Sequence, residues 1–369
     1  MGDRMNKNAF MVLDVFNNNG FLAYIVGGYV RDYLLNKKTL DIDICTSATP
    51  KDIIKLFDQT TVSKFSYGSV TIVYNSTKFD ITTFRKDIKY EDNRKPIKIK
   101  YINSLKKDLL RRDFTINTIC MDSKGNIIDL LDGKKDLDNK LIRCVGSARI
   151  KFKEDSLRIL RAIRFATILD FDIEGNTLKY LKRYGYLLAN LSNNRKKDEL
   201  TKIFSSVNKE KGRELLISNG LDKYLGINNL KDIVLCDDII GIWAQLETVD
   251  YPFNKLEKDN INKIREILCY KDIELYTLYK YGLYLCSVVY DIRGLDKAIL
   301  NEMYRNMPIY SKKDIDIDIN MICNVFDMKP DRYVKDVYEE LEKQIVYGNI
   351  NNNRNDILEY IIENKDKFI

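Results

Sequence analysis

Apolar residues near the N-terminus follow first a helical and then a strand spacing. Phe10, Leu13 and Phe16 recur at every third position and predict a helix over residues 6–19. The segment FLAYIVGG at 21–28 is typical of a buried strand that ends at two glycines. YVRDYLL follows directly and predicts a short helix.

Strand and helix signals continue to alternate over the next part of the chain. Residues 40–44 predict a strand, and a helix is expected near residues 50–58. SVTIVYN and FDITTFR are two further strand patterns joined by a turn. We therefore expect a mixed sheet with helices, which makes this part of the chain α+β in class.

Helical periodicity dominates from about residue 150 to the C-terminus. EDSLRILRAIRFATIL is a strongly amphipathic helix pattern, and no clear repeat or linker follows it. The predicted organisation is an α+β N-terminal domain of about 150 residues followed by an all-helical remainder.

The length and composition are those of an ordinary globular protein with several domains. Its 369 residues exceed one small core, and 45% are hydrophobic and 31% charged. The formal net charge of +7 suits a nucleic-acid partner, although a solvated lysine-rich surface explains it equally well. The chain has no apolar run of about 18 residues, so no membrane span is predicted. The N-terminal segment MGDRMNKNAFMVLDVF predicts no signal peptide.

The numbers of cysteine and histidine residues limit the kinds of catalytic and metal-binding site that the chain can form. The seven cysteines include no CxxC pair, which favours a reducing, cytoplasmic setting over a disulfide framework or a zinc site. The sequence contains no histidine, so an imidazole base, a His–Asp triad and a histidine-bound metal are excluded. If the protein is an enzyme, carboxylates are the expected metal ligands, and hard oxygen ligands favour Mg²⁺.

The stretch TLDIDICTSATP places two acids on one face of a strand. Asp41 and Asp43 alternate with two isoleucines, so both carboxylates project away from the core. A divalent cation would neutralise their mutual repulsion. Asp80, in KFDITTF, has the alternation to face the same side from a later strand. Three such carboxylates suit two-metal nucleotidyl transfer, whereas the alternative is an exposed polar strand edge.

Two further segments have the residue types of a phosphate-binding site. Gly27 and Gly28 allow close backbone approach to a phosphate, and Arg31 in the following helix adds a cation. In LLRRDFTIN, Arg112 is suited to bidentate phosphate binding and Asn117 to a ribose hydroxyl. The alternatives are a structural strand–helix turn, and a solvated turn in which the two arginines pair with the following aspartate.

The helix pattern EDSLRILRAIRF carries charged residues at every third position. Asp155, Arg158, Arg161 and Arg164 form a stripe along one side of a helix. A ladder of ion pairs explains the stripe structurally. In the functional interpretation, a carboxylate accepts from the amine of cytosine or adenine while a guanidinium donates to the adjacent ring nitrogen. Uracil and guanine present the reverse pattern, so such a pair would reject them.

These four motifs resemble those of class II tRNA nucleotidyltransferases. IVGGYVRDYLL, LDIDICTSATP, RRDFTIN and EDSLRILRAIRF stand in the order and approximate spacing of these CCA-adding enzymes, which share a superfamily with bacterial poly(A) polymerases. DLLDGKKDL at 129–137 and NNRKKDEL at 193–200 are similar to the two remaining family motifs in looser form. The resemblance covers residues 20–205.

The resemblance implies a role for each motif residue. Asp41 and Asp43 would bind Mg²⁺, and Gly28, Arg31 and Arg112 would hold the nucleotide. The base would be read by Asp155 and Arg158, with support from Arg161 and Arg164. The 3′-hydroxyl of a tRNA would attack the α-phosphate of CTP or ATP and release pyrophosphate, with the protein itself as template.

The resemblance also implies a domain order. It comprises a catalytic nucleotidyltransferase head over residues 1–145, a neck that recognises the base over 146–205, a helical body over 206–270 and a tRNA-binding helical tail over 271–369. The protein would act in the cytoplasm, away from membranes, as a monomer or a homodimer.

Several neighbouring functions stay open at this point. YEDNRKPIKIKYI at 90–102 keeps a loop with Asp92, Arg94 and Pro96 that the family's CC-adding specialists lack, which favours full CCA addition or A addition alone. Poly(A) polymerases usually have a longer basic C-terminal extension than this chain. A non-catalytic RNA-binding relative and a metal-dependent nuclease are the alternatives from other classes.

Overall fold

The computed structural model describes residues 2–39, 41–57, 61–66, 68–91, 95–248 and 250–368. The chain divides into two compact units. The first comprises Met1–Lys231 and Glu247–Pro252, and the second comprises Asp232–Leu246 and Phe253–Ile369. No helix in the described ranges is long and apolar enough to cross a membrane.

The first part of unit one alternates strands and helices. Its elements are α1 Gly2–Asn18, β1 Ala23–Val26, α2 Gly28–Leu34, β2 Ile42–Thr46, α3 Pro50–Leu56, β3 Thr61–Ser66, β4 Ser69–Tyr74, β5 Thr77–Thr83, β6 Arg85–Glu91, β7 Lys95–Tyr101, α4 Leu105–Leu109, a 3₁₀ turn Thr115–Asn117, β8 Cys120–Met121, β9 Ile127–Ile128, α5 Gly133–Asp138 and β10 Leu141–Ile142.

Seven of these strands form one mixed sheet in the order β3-β4-β5-β2-β1-β8-β9. All neighbours are antiparallel except β2 and β5, which run parallel. Ile25 and Ile44, on paired strands, are fully or almost fully buried, and Leu13 and Phe16 of α1 are also buried. The alternation read from the sequence therefore sets which face of the sheet is apolar, and the predicted α+β class is confirmed.

Helices make up most of the chain after β10. Unit one continues with α6 Ala148–Glu154, α7 Leu157–Leu169, β11 Asp172–Ile173, α8 Gly175–Tyr184, a 3₁₀ segment Gly185–Asn190, α9 Asn193–Phe204, α10 Lys209–Ser218 and α11 Asp222–Leu225. Unit two contains α12 Ile239–Gln245, α13 Lys255–Cys269, α14 Leu275–Arg293, α15 Lys297–Arg305, α16 Ile319–Phe326, α17 Arg332–Val346 and α18 Arg354–Glu363, with 3₁₀ turns at Lys312–Asp314 and Lys365–Lys367. The division into head, neck, body and tail stays a prediction.

Two local expectations were wrong. The segment 90–102 was interpreted as a loop, but Lys95–Tyr101 is strand β7 and pairs antiparallel with β6. Asp92 and Arg94 lie outside the described residues. The helix expected to run through EDSLRILRAIRF is interrupted, because Asp155 has an extended backbone with φ −146°. Its carboxylate accepts from the amide of Leu157 at 3.1 Å and thereby begins α7 as a new helix.

Candidate active site

Strands β2 and β5 bring two of the predicted acids side by side. Asp43 lies between buried Ile42 and Ile44 on β2, and the parallel register places Asp80 of β5 directly beside it. Asp41 is exposed immediately before β2. One carboxylate oxygen of Asp80 accepts a hydrogen bond from the Thr71 hydroxyl at 2.5 Å. Asp80 is therefore held by its own sheet, whereas Asp41 and Asp43 remain open to a ligand.

The surroundings of Asp43 disfavour its negative charge. Its side chain is accessible to solvent, yet partial burial raises its pKa. Arg112 lowers the pKa, while the negative charges of Asp80 and Asp41 add to the increase, so the net shift is upward. A cation bound at this point would relieve the repulsion among the three acids.

The donor set fits a hard cation that takes some of its ligands from the substrate. No three Asp, Glu or Cys side chains of the described ranges converge to surround a metal ion. Mg²⁺ is commonly held by one or two carboxylates and completed by water and substrate phosphates. Asp41 and Asp43 match this pattern, because both are oxygen donors on one open strand face.

Gly27 lies between this acidic face and a guanidinium. It precedes α2 with φ 83°, a left-handed conformation that side chains other than glycine rarely adopt. A Cβ atom there would lie 3.6 Å from Oδ2 of Asp43 and 3.7 Å from Nη1 of Arg112. Because Gly27 has no side chain, the gap between the carboxylate and the guanidinium is left open for a ligand.

Asp108 anchors the arginine on the other side of this gap. It is fully buried, and its carboxylate lies 3.5 Å from Nη2 of Arg112 and 2.8 Å from Nε of Arg111. Burial alone would lower the pKa of Arg112. The negative charge of Asp108 outweighs this effect and raises the pKa, so the guanidinium stays charged. The alternative in which both arginines pair with Asp113 is wrong, since Asp108 takes that role.

Asp113 instead links three elements in a polar chain. Arg31 of α2 donates to Oδ1 of Asn117 at 2.8 Å, and Asn117 donates to Asp113 at 3.1 Å. Nε of Arg161 on α7 donates to Asp113 at 2.7 Å. Burial alone would raise the pKa of Asp113, but Arg161 and the hydrogen bonds outweigh it and hold the pKa well below its usual range.

Three predicted arginines surround one aromatic ring. The guanidinium carbons of Arg31, Arg161 and Arg164 lie 5.2, 5.3 and 4.5 Å from the ring centroid of Phe165. Nε of Arg164 also lies 3.1 Å from the Glu199 carboxylate of α9. Neither Phe165 nor Glu199 was a predicted site residue, yet Phe165 contacts all three arginines and Glu199 pairs with Arg164.

The two residues expected to read the base are held differently. Oδ1 of Asp155 lies 3.6 Å from Nη1 of Arg195. Burial raises the pKa of Asp155, and Arg195 followed by Arg158 opposes the shift. The guanidinium of Arg158 is buried and donates to the carbonyl oxygens of Lys151 and Arg111, both at 3.1 Å. The structure thus brings Asp155 and Arg158 close together, but it also engages Arg158 with backbone.

Comparison with known proteins identifies the family. The chain is 34% identical to a CCA-adding enzyme of Ligilactobacillus salivarius, over 98% of this chain and 96% of the relative. The chain belongs to the CCA-adding enzymes. A second CCA-adding enzyme, from Staphylococcus haemolyticus, is 32% identical over 99% of both chains. The predicted family is confirmed, and poly(A) polymerase and inactive-relative alternatives are not favoured.

Solved structures and domain profiles agree with this membership. A Bacillus stearothermophilus CCA-adding enzyme in complex with CTP has a TM-score of 0.87 at 25% identity over 98% of both chains. A Thermotoga maritima CCA-adding enzyme complexed with tRNA shares the fold, with a TM-score of 0.68 at 20% identity over 97% of this chain and 95% of that one. The matching profiles are described as "Poly A polymerase head domain" over residues 23–143, "Probable RNA and SrmB- binding site of polymerase A" over 170–227 and "tRNA nucleotidyltransferase domain 2 putative" over 250–361.

Proposed function

We propose that this CCA-adding enzyme completes the 3′ end of tRNA with CTP and ATP through the site built around Gly27. The main support for this proposal is that Gly27 lies between the Asp43 carboxylate and the Arg112 guanidinium. A metal-binding oxygen and a phosphate-binding cation therefore flank the same backbone opening. CTP- and ATP-bound solved relatives support the choice of substrates.

The metal is proposed to be Mg²⁺, held by Asp41 and Asp43. Nucleotidyltransferases of this family depend on a divalent metal ion. When bound, the ion would neutralise charge on the substrate phosphates and polarise them. Asp80 lies beside this pair, and its proposed role is to add negative potential to the same strand face.

In the proposed reaction, the 3′ oxygen of the tRNA replaces the pyrophosphate oxygen on the α-phosphorus of the nucleotide. The 3′-hydroxyl oxygen of the tRNA forms a bond to the α-phosphorus, the bond to the β-phosphate oxygen breaks, and pyrophosphate leaves. Because the chain has no histidine, the hydroxyl proton passes to a carboxylate or to solvent. Gly28, Arg31 and Arg112 are proposed to orient the triphosphate, and Asn117 to face the ribose.

Base choice is proposed to depend on Asp155 and Arg158. The Asp155 carboxylate would accept from the amine of cytosine or adenine, and Arg158 would donate to the adjacent ring nitrogen. Arg195, 3.6 Å from Asp155, would favour the ionised carboxylate in this role, because it opposes the rise in pKa that burial causes. Arg161 and Arg164, placed around Phe165, would support the base or the phosphates.

The proposed cellular setting is the cytoplasm, where the substrate tRNAs occur. The seven cysteines of the sequence include no CxxC pair, which supports a reducing compartment. Light scattering coupled to size-exclusion chromatography would distinguish a monomer from a homodimer.

The test uses tRNA transcripts that end either before CCA or after CC. Each is incubated with Mg²⁺ and CTP, ATP or both, and the products are sized on a gel. Addition of CCA followed by arrest is expected. Addition of A only to the CC-ended transcript would make the protein an A-adding specialist, and long A tails would make it a poly(A) polymerase.

Asp43→Asn is expected to lower the extension rate by about 10³-fold, because charge stabilisation by a catalytic metal contributes several kcal/mol. Mg²⁺ should raise the melting temperature of the wild type in the presence of CTP but not that of this variant. Asp172→Asn is the matched control, since its side chain is 87% exposed. Full activity of Asp43→Asn would contradict the assignment.

A further inference from the structure

The turn that leads from α4 to Arg112 is held by its backbone carbonyl groups. Nζ of Lys151, on α6, donates to the carbonyl oxygen of Leu110 at 2.8 Å. Nη2 of Arg158, on α7, donates to the next carbonyl oxygen, that of Arg111, at 3.1 Å. The Leu110 side chain is 44% exposed, so its burial contributes little to fixing the turn. Polar contacts from two neighbouring helices therefore hold the two residues that precede Arg112.

Lys151 is buried, which is an unusual position for an ammonium group. Removal of a charge from water is costly unless nearby polar groups compensate for it. The Leu110 carbonyl is one such group, and a carboxylate oxygen of Glu154 lies 3.7 Å from Nζ of Lys151. The same Glu154 oxygen lies 3.0 Å from Nη1 of Arg158. Glu154 thus joins the two cations that hold the turn.

These contacts connect the proposed base-reading residue to the proposed phosphate-binding residue. The carbonyl group to which Arg158 donates belongs to the peptide bond that leads directly into Arg112. A shift of about 1 Å in this turn would move the Arg112 guanidinium relative to the opening at Gly27. Misplacement of this size can lower a rate about a hundredfold. The position of the turn therefore matters for the placement of the substrate phosphates.

We propose that Lys151 is a positioning residue for Arg112. Its ammonium group holds the Leu110 carbonyl and thereby fixes the turn that directs the Arg112 guanidinium toward the substrate phosphates. This inference rests on the proposed function, because it takes Arg112 to bind the triphosphate. It assigns a role outside the four sequence motifs, since Lys151 precedes the segment EDSLRILRAIRF and acts through Arg112.

Capping of a helix end is the structural alternative. Leu110 follows the last residue of α4, and lysine side chains commonly bond to the last carbonyl groups of a helix. A capping role alone would make the loss of Lys151 lower the stability of the protein and leave the phosphate site unchanged. The experiment therefore measures ligand binding and stability separately.

The first test removes the ammonium group and keeps most of the aliphatic stem. In Lys151→Met, the Kd for CTP with Mg²⁺, measured by calorimetry without tRNA, should rise about tenfold through the loss of one charged hydrogen bond. The Kd for pyrophosphate should rise by the same factor, because pyrophosphate occupies the phosphate site without a base. Lys151→Arg keeps a charged donor and should restore most of the affinity for both ligands.

The matched control is Lys153→Met. Lys153 is exposed on the same helix, so this variant removes the same charge close by. Both Kd values should stay at the wild-type level. An equal rise in both methionine variants would overturn the proposal, because it would indicate a general charge effect. A lower melting temperature of Lys151→Met with wild-type Kd values would also overturn it and would favour the capping role.

A double-mutant cycle tests whether Lys151 acts through Arg112. In Arg112→Ala, Asp108 keeps Arg111 as its partner at 2.8 Å, so this variant should fold. Lys151→Met should then weaken CTP binding less than about twofold in the Arg112→Ala background, because the effects of coupled residues are not additive. Equal losses in both backgrounds would contradict the positioning role. If Lys151→Met does not fold, Lys151→Gln, which keeps a neutral donor, takes its place in the cycle.

The results distinguish failure of this inference from failure of the function on which it rests. If Arg112→Ala leaves the Kd values for CTP and pyrophosphate unchanged, Arg112 does not hold the phosphates and both assignments are wrong. If Arg112→Ala weakens binding and Lys151→Met does not, only the role of Lys151 is overturned. If the wild type extends no tRNA but the cycle shows the expected coupling, the proposed activity fails and the positioning role stands.

Discussion

Asp113 is the residue on which the polar contacts of the candidate active site converge. Its carboxylate accepts from Asn117, from Arg161 and from the amide of Phe114, at distances from 2.5 to 3.1 Å. Through Asn117 it is also connected to Arg31. One buried charge therefore sets the orientation of two arginines that are proposed to contact the nucleotide.

Asp113→Asn is expected to lower the free energy of unfolding by about 2 kcal/mol at pH 7, because a buried, hydrogen-bonded ion pair is replaced by neutral contacts. The folded-state pKa of Asp113 lies below its unfolded value near 4. Its stabilisation is therefore complete above about pH 5 and is lost as the pH falls toward the folded-state pKa.

Urea unfolding of the wild type and Asp113→Asn across pH 3–8 checks this expectation. The difference between the two proteins should be constant above about pH 5 and shrink at lower pH. Asp172→Asn serves as the exposed control and should show little difference at any pH. A difference that grows on acidification would contradict the assigned ion pair.

For individual residues, the sequence predicted the chemical types in the candidate site better than it predicted their ion-pair partners. Asp41, Asp43 and Arg112 were recognisable because strand alternation and a short motif carry their chemistry. Glu199 was missed because it meets Arg164 only through the packing of two helices. Asp108, by contrast, lies four residues before Arg112, a spacing from which an ion pair can be expected, although Arg112 itself follows the end of α4.

Among elements, the boundary between α6 and α7 shows how a local contact overrides periodicity. Charged residues recur at every third position from Asp155 onward, as they would in one continuous helix, but the Asp155 side chain bonds to the backbone of Leu157 and interrupts the helix. This break makes Asp155 the C-cap of one helix rather than part of the arginine stripe on the next. Periodicity alone contains no signal for it.

Helix α5 depends on a close approach that only glycine permits. A Cβ atom at Gly133 would lie 2.3 Å from the carbonyl oxygen of Thr115, in the turn that carries Asn117. Gly133→Ala should therefore destabilise the protein by about 1–3 kcal/mol through overpacking.

Thermal unfolding checks the Gly133→Ala expectation. Gly175→Ala, at the start of α8, is the control, because a Cβ atom there meets no other atom within 4 Å. That variant should be as stable as the wild type or slightly more stable, since alanine favours a helix. Equal melting temperatures for wild type and Gly133→Ala would show that the turn adjusts without cost.

At the scale of the whole molecule, the fluorescence of the single tryptophan reports on the unfolding of the second unit. Trp243 is the single tryptophan of the chain and is 2% exposed. CTP with Mg²⁺ should stabilise unit one by about 2.7 kcal/mol at one hundred times its Kd. The transition followed by Trp243 fluorescence should shift less than the transition followed by far-UV circular dichroism, which also reports the sheet and helices of unit one.

Denaturant titrations with and without CTP measure this difference directly. Identical shifts for both probes would mean that the two units unfold as one cooperative body. The sequence predicted the change from alternating strand and helix patterns to helical periodicity near residue 150. The separation into two units was not, because it depends on which helices pack together over long sequence distances.

The sheet also has a consequence for how the chain is made. The pairing of β1 with β8 joins Val26 to Cys120, so the seven-stranded sheet is complete only after its last strand, Ile127–Ile128, has been synthesised. Such non-local pairing forms slowly compared with local helix contacts. At roughly 5–20 residues per second, translation of the remaining helical segments takes on the order of ten seconds or more. Because the sheet precedes the helical segments in the chain, this slowly forming part can fold while the ribosome still synthesises the rest.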